Sequence, residues 1–412
     1  MNILRRCMPD SSSKLKSWPT FSLITFFFLY IAQALPMSFF STSLQVMMRQ
    51  ANYSLTAIAL LQVIKLPWVL KFAWSPVIDR NCSSVPDYRR CIVGTEIVYA
   101  VLILAAGMLE LSSHFYWILG LVFLSLVASA TQDIATDALS VRAFSNKDKS
   151  LVNSMQSMGS FGGTLLGGGV LLMVLNKYGW TVVMPCLSIF VLLALIPLLF
   201  NKGIHIHEQT NRRKARLMDF VWFFSQKGIG KQVGFLVLYY SSIIGILSVL
   251  RPYLVDHGYN MKEIGVMSGI LGTSSAFVAS FFGGVIVRRY GLKRSRLLFS
   301  ELILATAIYF LLLSWITPTT LLICIGIVLM WSCYGMATIV VYTSAMACVR
   351  PGCEGTDFTI QTVITHLSGL LVALLSGNIA DMFGYHGLFG MQTILALSSF
   401  IYILYFFRTK KS

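Results

Sequence analysis

Pro76-Val-Ile-Asp79-Arg80, followed by Arg89-Arg90, closes the second of a series of long apolar runs, and Gly284-Val-Ile-Val-Arg288-Arg289-Tyr-Gly291-Leu-Lys293-Arg294 closes the eighth. The two stretches stand at equivalent offsets, at the end of one run and the turn into the next. One such loop is weak evidence. Two at matching places, six runs apart, point to a chain built as two repeated halves.

The runs around them fall at 20–41, 55–78, 91–111, 115–141, 151–174 and 179–200, then at 233–255, 264–287, 297–316, 319–348, 357–380 and 387–407. Each is long enough to cross a bilayer as a helix, which takes about 20 apolar residues. We refer to them as spans 1 to 12. The composition requires such a solvent: of 412 residues 56% are hydrophobic and 12% charged, with a mean hydropathy of +0.74. Soluble domains carry about 25% charged residues. A cytosolic enzyme, a secreted disulfide scaffold and a disordered chain are excluded. An outer-membrane barrel is excluded too, because its strands alternate apolar and polar residues. The expected fold is all-α and integral to the membrane, with twelve transmembrane helices in a 6+6 pseudo-repeat.

The distribution of basic residues supports that count. Of 32 Lys and Arg, 26 lie in the two tails and the even-numbered loops. Only Arg49, Lys177 and Lys262 lie in odd loops, while Lys65, Lys71 and Arg251 lie within spans. By the positive-inside rule both termini are cytoplasmic. The expected organisation is a cytoplasmic tail at 1–19, a six-helix bundle at 20–200, a cytoplasmic linker at 201–232, a second bundle at 233–407 and a tail at 408–412. Span 1 runs on past the length of a signal-peptide core with no small-residue cleavage site, so it reads as retained. The net charge of +16 therefore reflects topology and lipid headgroups, and no nucleic-acid partner is expected. The eight cysteines form no CxxC pair or Cys/His ligand spacing, so neither a metal nor a cofactor is expected.

Charge inside a membrane costs a few kcal/mol or more and calls for a partner or a function. Lys65 and Lys71 lie in span 2, Glu96 in span 3, Asp133 and Asp137 in span 4, Arg251 in span 7 and Glu301 in span 9. Asp133 and Asp137, four apart, share one helix face. Two carboxylates so close resist double ionisation, so one of them is suited to carry a proton. By depth Lys71 is level with Asp133, and a purely structural ion pair is the competing reading. Asp137 is placed near the inner interface, where water reaches it. Lys65, near the midplane, suits an anionic group of a cargo. Gln33, Trp68, Tyr239, Tyr240, Trp331, Tyr334 and Tyr342 add amides and aromatic faces, which equally serve as ordinary packing. Gly159, Gly163 and Gly167 form a ridge in span 5, and Gly265, Gly269 and Gly272 lie in span 8, suited to close helix contact.

The loop at 284–294 resembles the G-x-x-x-D-R-x-G-R-R loop of the major facilitator superfamily, with Arg288 in the acidic position. The loop at 76–90 keeps the Asp-Arg and later basic pairs but has an insertion and lacks the glycine. The resemblance implies the major facilitator fold, a cavity lined by spans 1, 4, 7 and 10, and contact between spans 5 and 8. It also implies a gating role for Asp79, Arg80, Gly284, Arg288, Arg289 and Arg294, with Asp79 facing the start of span 11 near Thr356 and Asp357. More narrowly, Phe72-Ala-Trp-Ser-Pro76-Val-Ile-Asp79-Arg80, Ala130-Thr-Gln-Asp133-Ile-Ala-Thr-Asp137-Ala138 and Gly355-Thr-Asp357-Phe-Thr-Ile-Gln361 look like stretches of AmpG-type muropeptide permeases. That resemblance implies proton-driven import of a muropeptide-like solute across the bacterial inner membrane, with Asp133 and Asp137 in the acidic motif. A siderophore importer of the same superfamily is the alternative. A membrane acyltransferase is disfavoured: no His/Asp or Ser/His cluster sits at a membrane face, and His205 and His207 lie in the linker. A lipid flippase or a channel would keep the fold but predicts no dependence on a proton gradient through Asp133. The expected partners are a small-molecule substrate, protons and the lipid bilayer, and the expected state is a monomer.

Overall fold

The computed structural model describes residues 19–50, 64–206 and 213–407. The first part of span 2, nearly all of the N-terminal tail, the whole C-terminal tail and residues 207–212 of the linker, among them His207 and Arg212, lie outside the described residues. Within them all regular structure is helical, as expected of backbone that must satisfy its own hydrogen bonds in lipid. Among the described residues, ten helices are long and apolar enough to cross a membrane. We number the helices used below α1 (Thr20–Arg49), α2 (Leu66–Leu70), α3 (Ser75–Asn81), α4 (Val85–Gly107), α5 (Ser113–Ala143), α6 (Lys149–Tyr178), α7 (Trp180–Phe200), α8 (Ile229–Asp256), α9 (Met261–Tyr290), α10 (Leu292–Leu313), α11 (Thr320–Ala347) and α12 (Glu354–Phe407). The last is broken at Gly384, whose φ of 65° leaves the helical region. Spans 11 and 12 are its two parts.

Several boundaries differ from the apolar runs, each for a local reason. α1 continues well past residue 41, so Arg49 ends a helix and is not in a loop. α4 begins six residues before its apolar run because Ser84 and Asp87 form a reciprocal capping box, which satisfies two amides the helix leaves open. Arg89 and Arg90 thus ride on the first turns of α4. Span 2 is not one helix in its described part. Pro67 and Pro76 each sit in the first turn of a short helix, with a 3-10 turn at Lys71–Ala73 between them. Proline fits a first turn and breaks an interior. The interruption carries Lys71 into the protein interior, 2% exposed.

The glycine ridge of α6 packs on α1. A Cβ on Gly159 would lie 2.9 Å from the Ile31 nitrogen, and one on Gly163 would lie 2.8 Å from the Leu35 nitrogen. The ridge is therefore a contact within the first half of the chain and not a sliding surface against α9. Gly265 and Gly269 have no neighbour that a Cβ would meet. Overpacking a close contact costs about 1–3 kcal/mol, and α1 has no room to retreat. Gly163→Val is expected to lower the melting temperature of purified protein by several degrees, with Gly269→Ala unchanged. Equal melting of the two variants would contradict the contact.

Three apolar cores organise the molecule. One, around Phe39, Tyr99, Val122 and Met184, draws only on residues before the linker. Another, around Tyr253, Phe299, Phe310 and Met330, draws only on residues after it. The third combines Phe26, Tyr88, Ile134 and Leu151 with Ala345, Met346 and Phe358. The two parts of the chain thus share an apolar core at one end, the end bearing the basic loops.

Candidate functional site: a cavity between the two parts of the chain

A cavity of about 310 Å³ is lined by Tyr30, Gln33, Lys65, Trp68, Asp133, Gln156 and Phe161 from the first part of the chain and by Tyr334, Thr338, Tyr342 and His366 from the second. That volume lies at the lower end of small-molecule pockets, about 300–1,000 Å³. Lys71 forms an ion pair with Asp133, both side chains 3% exposed, and its ammonium lies 4.9 Å from the Trp68 ring centroid. One turn further along α5, Asp137 accepts hydrogen bonds from Tyr30 Oη at 2.8 Å and Gln156 Nε2 at 3.2 Å. Both donors line the cavity. Gln33 donates to Gln132 of α5. Asp133, paired with Lys71, lines the cavity directly, and Asp137 is tied to it through Tyr30 and Gln156.

Two expectations about these groups change. Asp137 is 0% exposed, because Tyr30 and Gln156 cover it, so it is not the hydrated interfacial residue that depth counting suggested. The ion pair of Lys71 and Asp133 is present, yet its Asp133 lines the cavity. Lys65 lines the same cavity and has no carboxylate partner among the described residues, which suits an anionic cargo group. Trp331 stacks edge-on to Phe161, at 6.3 Å, and Tyr334 does so at 5.7 Å. Tyr240 packs against Tyr334 at 5.7 Å.

Tyr240 and Trp331 do not line the cavity but pack on residues that do, whereas Tyr239 stands apart from it. Tyr239 is 1% exposed in the second core, packs at a tilt against Phe235 and donates to the Arg296 carbonyl at 2.8 Å. It holds a helix junction and does not face the cavity. A buried hydrogen bond of this kind contributes about 1 kcal/mol. Tyr239→Phe is expected to lower thermal stability slightly and leave cargo affinity within twofold. A tenfold loss of affinity, measured by ligand-dependent fluorescence quenching, would return Tyr239 to the site.

Glu96 is fully buried in α4, apart from the cavity, and its carboxyl has no hydrogen-bond partner among the described residues. Arg251 and Glu301 are exposed. His366 was not foreseen from the sequence. The signal available was the density of polar residues from Thr356 to Ser368, which is too high for a helix that meets only lipid.

The basic-loop end is closed by contacts between the two parts of the chain. Asp79 accepts from the Gly355 amide at 2.9 Å and from the Thr356 amide and hydroxyl, both at 2.7 Å. These are first-turn groups of α12, where the helix dipole favours an anion. Arg288 pairs with Asp148 at 2.9 Å. Ser150 donates to the Gly284 carbonyl at 3.0 Å, and Asn153 donates to Thr343 at 3.1 Å. Of the other expected gate residues, Arg80, Arg289 and Arg294 are exposed, and Arg294 lies beside Glu301 in a separate depression.

The linker joins this closure through Arg350, which grips Asp357 at 2.6 Å and donates to the Asp219 carbonyl at 2.8 Å. Burial alone would push the Asp219 carboxyl up. The Arg216 amide and the Arg213 guanidinium outweigh it and hold Asp219 below the usual carboxylate range.

This geometry can be set beside proteins already characterised. The chain is 26% identical over 390 residues to the anhydromuropeptide permease of Escherichia coli K12, covering 91% of this chain and 78% of that protein. It is 23% identical over 417 residues to a putative transporter AmpG 4 of Rickettsia conorii, covering 96% and 98%. Among solved structures, the transporter FucP in its outward conformation superposes with a TM-score of 0.70 at 14% identity, covering 95% of this chain and 99% of that one. A bacterial homologue of the iron transporter ferroportin, outward-facing, gives 0.66 at 14% identity, with 93% and 98% covered. The Major Facilitator Superfamily model matches residues 24–371. With AmpG-type permeases among its relatives, this multi-pass membrane protein belongs to the Major Facilitator Superfamily.

Proposed function

We propose that the chain is a proton-coupled importer that carries a muropeptide-like solute across the bacterial inner membrane by alternating access. Its two six-helix bundles, 20–200 and 233–407, are joined by a linker at 201–232, with both termini in the cytoplasm. The observation that carries this reading is the cavity between the two parts of the chain, with Asp133, the ion-pair partner of Lys71, in its wall. Lys65 receives an anionic group of the cargo, while Gln33, Trp68 and Tyr334 hold its polar and ring faces. A proton taken up at the Asp133–Asp137 pair releases Lys71 from its counter-charge and lets the bundles rock. Asp79 at the α12 N-terminus latches the cytoplasmic side, with Gly284 and Arg288 closing the matching loop.

The test is uptake by proteoliposomes of labelled anhydromuropeptide and, separately, of a labelled ferric siderophore, each with and without an inward proton gradient. Accumulation of the muropeptide only with the gradient is expected. Accumulation of the siderophore instead would reassign the cargo while keeping the mechanism. Uptake indifferent to the gradient would remove the coupling.

A further inference from the structure

We infer that a second cavity, at the basic-loop end, is a binding site for a phosphate-type oxyanion, which holds that end shut. The cavity measures about 400 Å³. Arg142, Ser145, Asn146 and Lys149 line it from the end of α5 and the start of α6, and Met346 and Glu354 line it from across the interface.

Two buried cations face this space. Arg142 is 7% exposed and Lys149 8% exposed. The Arg142 Nη1 donates to the Ser83 carbonyl at 2.8 Å, and its guanidinium lies 5.7 Å from the Tyr88 ring centroid. Its Nε has no partner among the described residues. The Lys149 ammonium donates to the Met346 carbonyl at 3.0 Å, and an ammonium carries three protons to give. Glu354 is the one acid on the lining among the described residues. Asp148, next to Lys149 in the chain, is occupied by Arg288 at 2.9 Å and by the Ser145 hydroxyl at 2.8 Å. Two cations thus face one carboxylate, so the space carries an excess of one positive charge.

A buried cation left with unmet donors is costly, and a tetrahedral oxyanion answers both the charge and the donors. The first turn of α6 adds its helix dipole with the same sign. The Asn146 side-chain amide on the lining supplies a neutral donor. Because the walls come from both parts of the chain, the cavity exists only while they are together. An anion bound there favours the closed form by mass action.

The source is either free phosphate or a lipid phosphodiester, and the experiment separates them. Full-length protein purified in detergent and stripped of lipid is melted in potassium phosphate and in potassium chloride at equal ionic strength. A phosphate-specific rise in melting temperature is expected, retained in Lys149→Arg and lost in Lys149→Gln and Arg142→Gln. If Arg142→Gln does not fold, the contrast between the two Lys149 variants decides. Spin labels at exposed positions 147 and 293 are expected to shift several-fold towards the shorter distance with phosphate. A rise with phosphatidylglycerol alone would assign the site to a lipid headgroup. No rise with either, or an equal rise in Lys149→Gln, would overturn the proposal. None of these measurements involves cargo or a proton gradient, so they stand apart from the transport assay.

Discussion

Asp133→Asn is expected to abolish gradient-driven accumulation and, separately, to destabilise the protein. Removing one member of a buried ion pair costs about 3–5 kcal/mol, because the other charge is left uncompensated. Lys71, 2% exposed and beside Asp133, would be that charge. The double variant Lys71→Met/Asp133→Leu removes both charges, and replacing a buried pair with apolar residues is often neutral or stabilising. Its melting temperature should return close to wild type. Driven uptake should not return, because no proton carrier is restored at that point. Counterflow of cargo, which needs no net proton movement, separates a binding defect from a coupling defect. A double variant that both folds and accumulates cargo against its gradient would reduce the pair to a structural element.

The second large effect is expected at Asp79. Its carboxylate takes three hydrogen bonds from the first turn of α12, and bonds to a charged acceptor contribute about 1.5–3 kcal/mol each. In an open form water replaces them, so the net loss is smaller than their sum. A shift of about 3 kcal/mol in the opening equilibrium corresponds to roughly a hundredfold change in population. Asp79→Ala is therefore expected to open the basic-loop end. Cysteines placed across the two parts of the chain would then react with a hydrophilic maleimide that wild type excludes. Asp79→Asn, which keeps an acceptor oxygen but no charge, should fall between them. Unchanged labelling in Asp79→Ala would show that the shared apolar core closes this end unaided.

Much of the architecture was legible in the sequence because a bilayer imposes a coarse and insistent pattern. Long apolar runs and the sidedness of Lys and Arg are set by a solvent tens of ångströms thick, and no local detail blurs them. The Asp79 contact was legible through the resemblance of its loop to the superfamily's, and a helix start favours the carboxylate placed there. The pairing of Lys71 with Asp133 followed from depth alone. What depth could not give was azimuth. Tyr239 and Tyr334 lie in neighbouring spans of similar character, and only the packing of α8 turns Tyr239 towards Arg296 and away from the cavity. The glycine ridge of α6 faces α1 for the same reason. Asp137 was placed in water because its cover, Tyr30 and Gln156, comes from two other helices. His366 escaped notice because a lone imidazole, with no second titratable group at helical spacing, does not stand out among twelve apolar runs.

The apolar core shared at one end, with Ala345, Met346 and Phe358 set against Phe26, Ile134 and Leu151, has a thermal consequence. Parting those surfaces wets hydrocarbon, which raises heat capacity. The attraction between them weakens as temperature falls. Chilling thus loosens this mouth while leaving the charged clasps around it little changed. The balance between its shut and parted forms must follow a curve in temperature, not a straight line.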